Sequence, residues 1–327
     1  MKYYLLPALS AFAVCLLTTA LLLPLLRKKK AGQEILQYVT EHSGKQGTPT
    51  MGGIAFILTI LTTTWSFCGT LSRPLALSLA ATAAYGVVGF LDDFLKIRFK
   101  HNLGLKAYQK ILFQLAIAVV IAIVVYRDPT IGDKLYVPFT SVSVNVGWWT
   151  IPLVIFIFLA CTNGVNLTDG LDGLAASSVL CYLVAMFAIV LTHGNAIGGV
   201  SEQNGQLLTL MAASIGALAA FLLFNCFPAK VFMGDVGSLA LGALVACVSI
   251  FTNRSLFIPI LGLTFVFSCV SVILQVVYFK VSGGKRIFLM APFHHHLQKK
   301  GLSEVRVGVI YSAVTLTCGA LLLIFGG

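Results

Sequence analysis

Apolar runs long enough to cross a bilayer recur along almost the whole chain, and nothing else in the sequence restricts its fold so strongly. A helix needs about 20 mostly apolar residues to span roughly 30 Å of hydrocarbon. Ten runs approach or exceed that length: 3–26, 51–68, 75–91, 107–126, 148–162, 174–192, 207–225, 236–252, 256–279 and 305–325. The shortest, 148–162, opens on Trp148 and Trp149, which suit a membrane interface. The first is too long for a signal-peptide core and lacks a small-residue cleavage site, so it is expected to be retained. Of the 327 residues 58% are hydrophobic and 10% charged, whereas a soluble domain carries about 25% charged residues. The sequence predicts an all-α polytopic membrane protein with about ten transmembrane helices, forming a single integral membrane domain over residues 1–327.

Basic residues orient such a chain, because Lys and Arg accumulate on the cytoplasmic side. With both termini outside, only Lys2, Arg73, Arg127, Lys134 and Arg254 of the 22 Lys and Arg residues fall outside. The same orientation places Asp92, Asp93, Asp169, Asp172 and Asp235 at cytoplasmic helix ends, so any chemistry they perform faces the cytosol, from a cleft on that side. The net charge of +11 sits in short juxtamembrane loops, which anionic lipid and topology account for without nucleic acid. Eight cysteines lie in or at the ends of apolar runs with no C-x-x-C, the pattern of small core residues.

Polar residues inside this apolar background mark the candidate site. The stretch 161–175, CTNGVNLTDGLDGLA, sets Asn166, Asp169 and Asp172 at intervals of three. A helix starting near Thr168 would align them along one sector of its first turns, where free N–H groups suit a phosphate or carboxylate. In TPTMGG, Thr48 reads as an N-cap with Pro49 in the first turn, and Lys45 just upstream is a candidate phosphate partner. Asp92 and Asp93 fall at the expected end of the third helix, where they oppose the macrodipole and each other. They call for cationic compensation, from Lys96, Lys110 or a divalent ion with its preference for oxygen ligands. Asp235 lies between Gly234 and Gly237 at a helix start, a position that keeps a carboxylate ionised as a metal ligand. His294, His295 and His296 are too close in sequence for ordinary zinc ligation and read as donors at the rim of a site. The outside segment 127–147 has the loose alternation of a short hairpin, with Pro138 limiting it to an edge.

Together TPTMGG, FLDDFLK, GLKAYQK, NGVNLTDGLDGLA, FMGDVGSL and APFHHHLQKKG resemble, in order and spacing and over essentially the whole chain, the phospho-N-acetylmuramoyl-pentapeptide transferase family. That family is part of the wider polyprenyl-phosphate N-acetylhexosamine-1-phosphate transferases, most of which lack APFHHH. The resemblance implies Mg²⁺ dependence, a homodimer in the bacterial cytoplasmic membrane, and no nucleic-acid partner. The implied reaction moves phospho-MurNAc-pentapeptide from UDP-MurNAc-pentapeptide to undecaprenyl phosphate, giving lipid I and UMP. It implies Asp92, Asp93, Asp235 and His294 as catalytic residues, with Asp235 the magnesium ligand. Lys45, Thr50, Gly170, Leu171, Asn225 and Phe232 are implied around the nucleotide substrate. Asn166, Asp169, Asp172, Lys96, Lys110, His295 and His296 are implied as further substrate-binding positions.

The residues fit that chemistry independently. Exchange of one phosphoanhydride for another is nearly isoenergetic, so catalysis reduces to positioning and charge neutralisation. The acceptor phosphate is largely a dianion at pH 7, which leaves Asp92 as a weak base, an orienting group or a nucleophile. An ion-coupled transporter is the competing class. It would be expected to carry charges near the bilayer midplane and paired repeats, and the sequence shows neither. A structural scaffold leaves the clustered aspartates unexplained.

Overall fold

The computed structural model describes residues 2–28, 47–99, 104–128, 134–140, 142–193 and 202–326. The chain forms helices α1 (Lys2–Lys28), α2 (Gly53–Cys68), α3 (Arg73–Phe99), α4 (Ala107–Arg127), α5 (Thr150–Thr168) and α6 (Leu174–His193). These are followed by α7 (Glu202–Asn225), α8 (Gly234–Phe251), α9 (Ile258–Leu261), α10 (Leu263–Val281), α11 (Phe293–Lys299) and α12 (Glu304–Phe325). Among the described residues, 9 helices are long and apolar enough to cross a membrane, and α2 is a shorter apolar helix of 16 residues. All ten predicted runs are helical, and the protein is an all-α polytopic membrane protein. Strands β1 (Lys134–Tyr136) and β2 (Ser143–Asn145) form the predicted antiparallel hairpin, with Pro138 in its connection.

Helix α8 is the axis of the bundle. Every residue from Val236 to Phe251 is buried, against α2, α3, α5 and α6. Lipid tails are as apolar as leucine, so such packing depends on backbones approaching closely at small residues. A methyl added to Gly53 would overlap Gly237 on α8, one on Gly89 would overlap the Asp235 carbonyl, and one on Gly242 would overlap Thr162 on α5. Hydroxyls in the bundle bond back to the preceding turn, as Thr82 does to Ser78, Thr162 to Phe158 and Ser249 to Val245, so they need no water inside the apolar layer. The outer faces of α1, α4, α10 and α12 keep Leu21, Val120, Val277 and Ile324 exposed, as a lipid-facing surface requires.

Four helix limits differ from the sequence expectation; tertiary partners explain two of them and an ion pair within one helix a third. Helix α2 starts at Gly53 rather than at Thr48, because 49–53 instead pairs with 232–233: Phe232 N–H donates to Pro49 O, and Gly52 and Gly53 N–H donate to Phe232 O and Met233 O. Helix α3 runs on to Phe99, so Asp92 and Asp93 lie inside it, where Lys96 one turn later compensates them. Helix α5 ends rather than begins at Thr168, because Asn166 and Thr168 find partners on α8 and α10. Asp169 is therefore its C-cap and Asp172 falls in the following turn, off any helix start. The ninth run is divided at Gly262 into α9 and α10.

Candidate active site

The site is assembled where the C-terminal ends of α3 and α5 meet the N-terminal ends of α4 and α8. Asp92 and Asp93 come from α3, Asp235 from the first turn of α8, and one oxygen from each lies within 4.8 Å of the others. Gly89 and Gly234 make this convergence possible. The first lets α3 lie directly on the Asp235 backbone, and the second, at φ +72°, lies under the Asp93 carboxylate and the Thr50 hydroxyl.

Each of the three carboxylates has one oxygen fastened by the fold and another turned inward. Asp92 Oδ1 accepts from Leu105 N–H at 2.8 Å. Asp93 Oδ2 accepts from Val236 N–H at 3.1 Å. Asp235 Oδ1 accepts from Asn166 Nδ2, whose amide also donates to Ser238 Oγ at 2.8 Å. The remaining oxygens surround the Lys96 ammonium, at 2.6 Å for Asp92 Oδ2, 2.6 Å for Asp235 Oδ2 and 3.8 Å for Asp93 Oδ1. Lys110, from α4, lies 3.1 Å from the same Asp235 oxygen. A cluster of hard oxygen donors already gathered about one cation has the chemistry that suits a divalent metal.

The turn 169–173 forms a second wall. Asp169 caps α5 and is partly buried; lost hydration, then the Asp235, Asp93 and Asp172 carboxylates, hold its carboxyl well above the ordinary carboxylate range. Asp172 Oδ2 accepts from Ala229 N–H at 2.9 Å, tying this turn to the loop before α8, while its own N–H donates to Glu304 Oε2. Leu171 is buried with Leu174, Val307 and Tyr311. Gly170 admits His294: a methyl there would overlap the buried imidazole and touch His295.

The three histidines do not act as one rim. The His294 and His295 rings lie with centroids 4.3 Å apart and planes tilted by 59°, facing the 169–173 turn. His296 turns away, accepting from Leu289 N–H at 3.1 Å and packing on Phe288 and Phe293. Asn225 closes α7, and Phe232 lies in the loop that leads to α8. Asn225 Nδ2 donates to Val231 O at 2.9 Å, and its buried Oδ1 has no hydrogen-bond partner among the described residues. Lys45 lies outside the described residues.

Among the residues expected from sequence, Asp92, Asp93, Asp235, Lys96, Lys110 and Asn166 thus form one contiguous cluster beside Thr50. Sequence reasoning missed Ser238, Gly104 and Leu105. Ser238, three residues after Asp235 on the same face of α8, carried a usable signal. Gly104 and Leu105 open the GLKAYQK stretch, but their part in the site depends on where 104–106 folds over Asp92.

Comparison with known proteins bears on this geometry. The family model described as glycosyl transferase family 4 matches residues 75–253, and a phospho-N-acetylmuramoyl-pentapeptide-transferase signature matches residues 45–57. The chain is 43% identical over 310 residues to the phospho-N-acetylmuramoyl-pentapeptide-transferase of Clostridioides difficile (strain 630), covering 94% of this chain and 93% of that one. It is 43% identical over 309 residues to the same-named protein of Clostridium novyi (strain NT), covering 94% and 92%. With that of Desulfitobacterium hafniense (strain DSM 10664 / DCB-2) the identity is 39% over 320 residues, covering 97% and 95%.

Proposed function

Since the chain belongs to the phospho-N-acetylmuramoyl-pentapeptide-transferase family, we propose that it transfers phospho-MurNAc-pentapeptide from UDP-MurNAc-pentapeptide to undecaprenyl phosphate, releasing UMP and forming lipid I. The observation that carries this reading is the division of labour within the aspartates: one oxygen of each is fixed by the fold, and the other faces a shared cationic centre. Phosphoryl transfer asks for this, since its catalysis is almost entirely positioning and stabilisation of charge on phosphate oxygens.

Magnesium fits the donor set. Asp235, with the inward oxygens of Asp92 and Asp93, would hold it, and the bound ion supplies charge neutralisation at the pyrophosphate. Lys96 and Lys110 then share their positive charge between the aspartates and the substrate phosphates. Asn225 offers an unpartnered amide oxygen to the uracil N3–H, and Phe232 beside it offers a ring for stacking. Gly170, Leu171 and Asp172 shape the opposite wall, with His294 and His295 as donors toward the phosphates or sugar. Asp169, the C-cap of α5, belongs to that wall. Lys45 keeps the place around the nucleotide substrate that the resemblance assigns it, while His296, turned onto Phe288 and Phe293, supports the loop before α11. The same reading puts the protein in the bacterial cytoplasmic membrane with this site facing the cytosol, as a homodimer.

Protein purified in detergent and incubated with UDP-MurNAc-pentapeptide, undecaprenyl phosphate and Mg²⁺ is expected to release UMP. Its failure to do so would reject the reaction.

A further inference from the structure

A groove of about 650 Å³ lies beside the C-terminal turns of α10, and it shares no residue with the aspartate cluster. One wall is the α10 stripe that includes Val276, Phe279 and Lys280; the other comes from Arg286 and Leu289 in the following loop and from Lys299 on α11. The walls are held in place by the fold. Gln275 Oε1 accepts from Phe288 N–H at 2.9 Å, and Ser271 Oγ accepts from Phe293 N–H at 3.1 Å, fastening loop and α11 to the neighbouring face of α10.

Two properties define what fits. Val276, Phe279 and Leu289 are large apolar side chains left exposed, on a helix long and apolar enough to cross a membrane. Lys280, Arg286 and Lys299 add three cationic groups, and among the described residues no acidic side chain lines the groove. An apolar wall in the membrane ending in cations at its edge is complementary to an amphiphile with an anionic head.

The geometry points to a binding site for an anionic diacyl phospholipid, its phosphate drawn to Lys280, Arg286 and Lys299 and one acyl chain lying along Val276 and Phe279. The volume suits a headgroup with the upper part of a chain. The occupant would brace α11, whose other side carries the buried His294 against Gly170. A polyprenyl phosphate has related chemistry, but as acceptor it must reach the aspartate cluster, which this groove does not include.

Native mass spectrometry of the full chain in mild detergent, titrated with phosphatidylglycerol or phosphatidylcholine, tests the site. The wild type is expected to hold one phosphatidylglycerol more tightly than phosphatidylcholine. Each of Lys280→Gln, Arg286→Gln and Lys299→Gln should weaken that binding about fivefold, and Val276→Trp should abolish it by filling the groove while leaving every charge. Equal retention of the two lipids by the wild type would overturn the site, as would undiminished phosphatidylglycerol binding by the triple glutamine variant. Displacement of phosphatidylglycerol by equimolar undecaprenyl phosphate would assign the groove to the acceptor, and displacement by inorganic phosphate would reduce it to a simple anion site. Either outcome would overturn the proposal.

Discussion

Asp235 owes its favourable field to the start of α8, but the direction of its carboxylate is set by Asn166, which holds Oδ1 and leaves Oδ2 to the cations. Groups that orient a metal ligand typically matter about 10- to 100-fold in metal affinity. Asn166→Ala should therefore raise the magnesium concentration needed for half-maximal UMP release by about that factor, with the fold intact. An unchanged magnesium titration would show that Asp235 is oriented some other way. The state of Asp92 bears on the reaction course. Both of its oxygens are engaged, Oδ1 by Leu105 N–H and Oδ2 by Lys96, which ill suits a nucleophile attacking an anionic pyrophosphate. Direct attack by the lipid phosphate is the expected course. Radiolabelled UMP should then not exchange into UDP-MurNAc-pentapeptide in protein freed of lipid phosphate, and exchange as fast as turnover would establish a covalent intermediate instead.

At the scale of elements, helix existence was legible in the sequence and helix ends were not. Apolar runs of bilayer length leave the backbone little choice but helix. Where α5 stops and α2 starts was decided by partners distant in the chain: Asn166 on Asp235 and Ser238, Thr168 on Ser268, and the 49–53 backbone on 232–233. The site followed the same division. The aspartates, Lys96 and Lys110 stood out as charges in an apolar chain, whereas the 104–106 segment, though part of GLKAYQK, carries no residue that announces its place over Asp92. Its part in the site yields a prediction. A Cβ on Gly104 would come within 2.6 Å of Asp92 Oδ1 and 2.9 Å of its Cγ, so Gly104→Ala must turn the carboxylate or lift the segment. Displacements on the order of 1 Å at a reacting centre cost about 100-fold in rate. Gly104→Ala is expected to lower kcat by an amount of that order while leaving the KM for both substrates unchanged. A rise in KM alone would place the segment in substrate binding.

Across the whole molecule, the charge distribution and the site share one end of the bundle. Arg27, Lys28, Lys96, Arg98, Lys106, Lys110, Lys230, Lys280, Lys285, Arg286, Lys299, Lys300 and Arg306 lie at or beyond the helix ends that carry the aspartates, while the hairpin, Arg73, Arg127 and Arg254 lie at the other. Basic residues in short loops stay on the cytoplasmic side during insertion, so the aspartate end should face the cytosol, where a nucleotide-linked donor is found. Cys226, in the loop between α7 and α8, allows the test in the natural chain, because it is the one exposed cysteine among the described residues. Lost hydration and the Asp172 carboxylate push its thiol up from the ordinary value, so labelling belongs at mildly alkaline pH, where more thiolate is present. A membrane-impermeant maleimide should leave Cys226 unmodified in intact cells and modify it in inside-out vesicles. Ser143→Cys, in the hairpin, should show the opposite pattern. Labelling of Cys226 from outside intact cells would invert the orientation, and with it the assignment of this cleft to a cytosolic nucleotide substrate.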